Sequence, residues 1–209
     1  MKFASASFGH NYRIPSEYAF CAPDRKTHVK LPQNCNPHFT WADLPAGTRS
    51  LALICHDPDV PSKPDDVNQV GRTIPAALPR VDFYHWTLVD IDPKWGMIKA
   101  AGFSEGVTPR GKKGPDGPCG TRQGLNDYTM WFASDKEMSG NYFGYDGPCP
   151  PWNDTIPHHY VFTLYALDVE KCPVSGIFKG PDVLTAIEGH VLGQAATTGI
   201  YSLNPDVKV

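Results

Sequence analysis

A mainly β fold in a single domain, residues 1–209, is what this sequence predicts, and three observations support it. Three runs rich in β-branched and aromatic residues, Ser50 to Cys55, Tyr84 to Ile91 and Tyr160 to Leu167, are each bounded by turn formers. A single stretch, near the C-terminus, has apolar residues at helical spacing. A chain of 209 residues suits one β-rich domain with one core.

The three runs read as sheet core. Alternation along Tyr84 to Ile91 puts Tyr84, Trp86, Leu88 and Asp90 on one face and His85, Thr87, Val89 and Ile91 on the other. His85 is therefore expected beside Val89 and Ile91, and Trp86 in the core. Val183, Leu184, Ile187, Val191, Leu192 and Ala195 predict an amphipathic helix of about 15 residues, with Asp182 as N-cap and Gly199 as its stop. Ser104 to Tyr145, dense in glycine and polar residues, reads as a long excursion carrying a short strand, Tyr128 to Ala133; a connection of that length is usually functional or oligomeric. Residues 1–49 hold a hairpin region around Ile14-Pro15 and Trp41 to Gly47 whose strands are not placed. The echo of Asp116-Gly117-Pro118-Cys119 in Asp146-Gly147-Pro148-Cys149 is too short for a repeat.

Charge is nearly balanced, 19 Lys+Arg against 22 Asp+Glu, and no basic run exceeds Lys112-Lys113, which argues against nucleic acid as a partner. The N-terminus lacks the apolar core of a signal peptide, and no stretch approaches the roughly 18 apolar residues of a membrane span. A cytoplasmic protein without an integral membrane segment is expected. Six cysteines are scattered with no C-x-x-C pair, so free thiols in a reducing compartment are expected, with a Cys21 to Cys35 bridge as the open alternative.

Four chemical motifs compete. Gly106-Val107-Thr108-Pro109-Arg110-Gly111-Lys112 has the glycine spacing of a phosphate loop, but Lys113 stands where Ser or Thr would hold magnesium and Gly114-Pro115 blocks a following helix. It reads as a surface loop. Asp57-Pro58-Asp59-Val60-Pro61-Ser62 sets two carboxylates on a proline-stiffened turn at a strand end, ordinary turn chemistry unless histidines lie beside it. Adjacent histidines on a strand point to opposite faces, so His158 and His159 do not share a metal ion, and no metal or other cofactor is expected. Cys149 sits between Pro148 and Pro150 with no helix N-terminus to lower its pKa, which argues against a cysteine nucleophile. The segment Gly147 to Tyr160 carries four prolines, which limit its freedom and preset where His158 and its neighbours point. It reads as the wall of a binding pocket.

Taken together, Asp57-Pro58-Asp59-Val60-Pro61-Ser62, His85 to Ile91, Gly147-Pro148-Cys149-Pro150-Pro151 and His158 to Asp168 resemble the phosphatidylethanolamine-binding protein family, also called the Raf kinase inhibitor protein family, in its bacterial branch. The likeness spans about half the chain and includes the ending Gly199-Ile200-Tyr201. It implies a β-sandwich with a large central antiparallel sheet, a smaller sheet and a C-terminal helix. It implies an anion pocket using Asp57, Asp59, His85, Gly147, Pro151, His158 and Tyr160, closed by Tyr201. Two departures stand out. His159 occupies a position where the family often has arginine, which leaves the partner of Asp59 open, and Arg72 to Val81 and Ser104 to Gly144 look inserted.

The function so implied is noncatalytic binding of phosphate or a phospholipid head group. Two carboxylates beside an anion require His85 and His158 to be protonated and shared with Asp57, with Tyr160 donating to the ligand, so binding should weaken as pH rises. The alternative is a regulator that docks and inhibits a protein kinase or protease. A homodimer is expected, with the Ser104 to Gly144 excursion as its interface. Truncating Trp86 should cost about 3 kcal/mol or more, and truncating His158 far less.

Overall fold

The computed structural model describes residues Met1–Val209. Its strands are β1 (Lys2–Ser5), β2 (Tyr12–Arg13), β3 (Ala22–Asp24), β4 (His28–Lys30), β5 (Phe39–Ala42), β6 (Ser50–Pro61), β7 (Arg80–Ile91), β8 (Met97–Ile98), β9 (Arg122–Gln123), β10 (His158–Leu167) and β11 (Val191–Tyr201). Two short helices, α1 (Tyr128–Trp131) and α2 (Gly180–Ala186), complete it. The three apolar runs of the sequence become β6, β7 and β10, each extended beyond its apolar stretch toward the candidate site.

These strands form the middle of a six-stranded sheet of order β2-β11-β10-β6-β7-β9, antiparallel except for the β2–β11 pair. A three-stranded sheet, β1-β5-β8, lies over one face, and β3-β4 forms a hairpin. Leu51, Leu53, Trp86, Leu88, Phe162 and Leu164 of the large sheet share one core with Phe3, Phe39, Trp41 and Ile98 of the small one, the apolar filling of a sandwich. Phe39 is central: its ring stacks on Phe3 at 5.1 Å and meets Phe162 at 4.8 Å. On the other face, Ala52, Ile54, Val89 and Leu167 pack under Val183 and Ile187. The β-sandwich with a helix near its C-terminus is as expected.

The predicted helix is half right. Val183 is buried on α2 and Ile187 just past its end, but the chain turns at Gly189 (φ +83) and continues as β11. Pairing decides this outcome. Ala195-Ala196-Thr197-Thr198 satisfies the backbone groups of β10, which would otherwise be a bare edge. Asp182 is not the N-cap either; Lys179 is, and the Asp182 carboxylate accepts from its N–H at 2.8 Å. Gly199 is not a helix stop but a strand residue, where a Cβ would meet Ile14 and Phe8. The expected strand Tyr128 to Ala133 is instead α1, begun by Asn126 Oδ1, which accepts from the Tyr128 N–H at 3.1 Å.

Simple alternation along β7 also fails, twice. Cys55 pairs with Trp86 but His56 with Tyr84, so His85 is an extra residue in a bulge. The bulge turns His85 toward Phe83 and Tyr160, on the Trp86 side, and away from the expected Val89 side. A second bulge at Asp90 (φ +63) moves Ile91 into the same core as Trp86 and Leu88.

The cysteines correct another expectation. Cys21 and Cys149 form a disulfide across a sequence separation of 128, leaving Cys35 free along with Cys55, Cys119 and Cys172. Neither an all-thiol chain nor a Cys21 to Cys35 bridge survives. No helix is long and apolar enough to cross a membrane.

Candidate functional site

A cavity of about 100 Å³ opens where β6, β7 and β10 extend past the small sheet. Asp57, His85, Pro151, His158 and Tyr160 line it, together with Phe83, Tyr128, Trp131, Cys149 and the Pro64 to Asn68 turn. Each arrives for a local reason. Asp57 precedes a register shift at Pro58-Asp59, His85 rides its own bulge, and Cys149, Pro150 and Pro151 form a wall tied down by the disulfide.

His158 is fully buried, and both of its ring nitrogens meet carboxylates: Nδ1 lies 2.7 Å from Asp57 Oδ2 and Nε2 lies 3.1 Å from Asp154 Oδ2. Burial opposes charge on this ring, but the two carboxylates outweigh it and push its pKa up to about 9. His158 is therefore an imidazolium donating to both. Arg80 completes the chain, with Nη1 at 2.5 Å and Nη2 at 3.0 Å from the two oxygens of Asp154. Burial works against the Asp154 carboxylate, yet His158 and Arg80 hold it below the usual range. Two carboxylates thus face two cations, and the buried set is formally neutral.

His85 behaves in the opposite way. Its Nδ1 lies 2.8 Å from the Asp146 carbonyl oxygen, which can only accept, so Nδ1 carries the proton. Burial pushes its pKa below the ordinary histidine value. His85 is neutral, contrary to the expected cationic pair, and its Nε2 makes no bond within the protein. The rings of Phe83, Tyr128 and Tyr160, at 4.8, 5.5 and 5.1 Å, hold it in place. The Tyr160 hydroxyl is buried with no hydrogen-bond partner. Burial, and then the nearby Asp57 charge, raise its pKa far above the usual phenol value.

Three expected pocket residues stand outside the cavity wall. Asp59 turns away to His159, accepting from its backbone N–H and ring Nδ1, both at 2.8 Å. This settles the partner of Asp59: His159 takes the place of an arginine. Gly147 donates its N–H to Asn34 Oδ1 at 2.9 Å and accepts from the Tyr128 hydroxyl at 2.8 Å, while a Cβ there would strike the Tyr18 carbonyl. It shapes the wall from behind. Tyr201 does not close the pocket; its hydroxyl donates to the Cys21 carbonyl at 2.9 Å. Sequence reasoning missed Asp154, although it sits in the proline-rich turn four residues before His158. It also missed Arg80, inside the segment that looked inserted, and Tyr128, assigned to a strand.

The sequence profile described as phosphatidylethanolamine-binding protein matches residues 4–202. A UPF0098 protein of Methanothermobacter thermautotrophicus is 34% identical over 201 residues, 96% of this chain and 98% of that one. UPF0098 protein YbhB of Escherichia coli is 30% identical over 169 residues, covering 81% and 82% of the two chains. Among solved structures, E. coli YbcL, described as a member of the mammalian PEBP family, superposes with a TM-score of 0.67 at 25% identity, covering 96% of this chain and 97% of its own. With that profile spanning nearly the whole chain and archaeal and bacterial relatives of matching length, the chain belongs to the phosphatidylethanolamine-binding protein family.

Proposed function

We propose that this protein is a noncatalytic binding protein whose cavity takes inorganic phosphate or the phosphoryl end of a phosphorylated head group. The observation that supports this reading is the pair of unpartnered polar groups in the cavity, the neutral His85 Nε2 and the Tyr160 hydroxyl, beside an ion set that is already balanced. A protonated phosphate oxygen donates to Nε2, and Tyr160 donates to a second oxygen. Asp57 does not repel the anion at full strength, because His158 neutralises it. A cavity of about 100 Å³ suits a phosphoryl group, with the remainder of a larger ligand outside. Binding without turnover is favoured because the lining has no serine or threonine and its one sulfur, on Cys149, is held in the disulfide.

Calorimetric titration with phosphate and with phosphoethanolamine tests the reading. A free phosphate monoester loses its second proton near pH ~6, and the complex keeps one proton between ligand and His85. Above that pH, affinity should fall by up to about tenfold per pH unit, the limit for uptake of one proton. Affinity that does not vary between pH 5.5 and pH 8.5 would sink the scheme. Loss of binding in His85→Ala with wild-type thermal stability would support it.

A further inference from the structure

Lys112 ends the glycine-rich stretch that resembles a phosphate loop in spacing but not in context, and it has no place in the cavity wall. Its side chain nevertheless turns inward. Nζ lies 2.7 Å from Asp146 Oδ1, with the Lys112 side chain 18% exposed and that of Asp146 1% exposed. Close backbone packing brings it there: a Cβ on Gly111 (φ +81) would strike the Asn141 carbonyl, and one on Gly140 would strike that of Arg110. Asn34 Nδ2 and Asn126 Nδ2 each donate to the same carboxylate at 2.8 Å. Three segments far apart in sequence thus converge on one buried charge.

The backbone of Asp146 holds the cavity histidine from both sides. Its N–H donates to the His85 carbonyl at 3.1 Å, and its own carbonyl accepts from His85 Nδ1 at 2.8 Å. We propose that Lys112 is a positioning residue for the cavity: by holding the Asp146 carboxylate it fixes the peptide carbonyl that keeps His85 in its Nδ1–H form, with Nε2 free to accept. Charge acts in the same direction. The ionised groups around His85 are Asp57 on β6, Asp127 ahead of α1 and Asp146, while Tyr128 and Tyr160 face it as neutral phenols. His158 offsets Asp57, and Lys112 offsets Asp146. Without Lys112 an uncompensated carboxylate favours a cationic ring.

The inference rests on the binding reading only for what Nε2 faces, and its test needs no ligand. Nitrogen-15 NMR of the His85 ring is recorded on the full-length protein between pH 6 and pH 8. In wild type, Nδ1 should be protonated and Nε2 bare. In Lys112→Met the ring should become a mixture of forms and titrate at higher pH than wild type. Lys112→Arg, which keeps a cation on the Asp146 carboxylate, should restore the single form. Unchanged ring shifts in Lys112→Met would overturn the proposal, as would a Lys112→Arg protein as mixed at His85 as Lys112→Met. If Lys112→Met does not fold, Lys112→Gln is measured instead against the same two outcomes. Failure of phosphate to bind wild type would remove the binding reading and leave these ring shifts as they are.

Discussion

His158 Nδ1 lies 2.7 Å from Asp57 Oδ2 with both side chains out of contact with solvent, and the same ring reaches Asp154 through its other nitrogen. The ring is a structural cation at the end of the sandwich, and its titration is coupled to folding. Its folded pKa of about 9 stands above the unfolded value near 6.5. Stability from this group is fully present below about pH 6.5 and is lost as pH rises through 9, on the order of 3 kcal/mol in all. Urea midpoints measured from pH 6 to pH 10 should fall across that window in wild type. A flat profile would mean that the ring is not charged in the folded protein. His85 has the opposite sign: its depressed pKa makes its contribution present above pH ~6.5 and lost as pH falls below it.

The same geometry corrects the expectation that His158 can be truncated cheaply. His158→Ala leaves Asp57 without its partner and Asp154 with Arg80 alone, and breaking a buried charge pair costs about 3–5 kcal/mol. Trp86→Ala removes a fully buried ring and its bond to Gln123 Oε1, also about 3–5 kcal/mol. Chemical denaturation should place the two variants within about 2 kcal/mol of each other. A His158→Ala protein nearly as stable as wild type would show that the two carboxylates tolerate its absence.

Tyr160→Phe is the cleaner probe of binding. Its hydroxyl has no partner in the protein, so removing it should leave stability unchanged or slightly higher. Phosphate affinity should fall about 10- to 100-fold, the worth of one hydrogen bond to a charged ligand. Equal affinity in the two proteins would place the ligand away from this hydroxyl.

The disulfide joins the N-terminal segment to the cavity wall and closes a long loop, so reduction should cost about 2–5 kcal/mol. Backbone amides of Phe20 and Cys21 both donate to the Pro148 carbonyl, so the wall should keep its contact with residues 20–21 in the reduced state. Thermal unfolding with and without reductant measures the first effect. The Pro150 and Pro151 proton shifts at room temperature measure the second, and should move little.

The sequence by itself determined the three central strands and the rigid turn before β10, because strand-forming runs and proline-set turns are local properties, and its motifs together carried the family resemblance that implied the sandwich and the cavity residues. Asp57, His85, Pro151, His158 and Tyr160 were legible through that resemblance, not through periodicity, which put His85 on the wrong face. What only the tertiary structure decided is set by pairing and burial between distant segments. β10 recruited Val191–Tyr201 as a strand, and a bulge against β6 sent His85 to the face that alternation denied it. Cys21 found Cys149, and Arg80 found Asp154. The protonation of the two cavity histidines is the sharpest case. One ring lies between two carboxylates and the other donates to a carbonyl in an apolar wall, so identical side chains take opposite charge states.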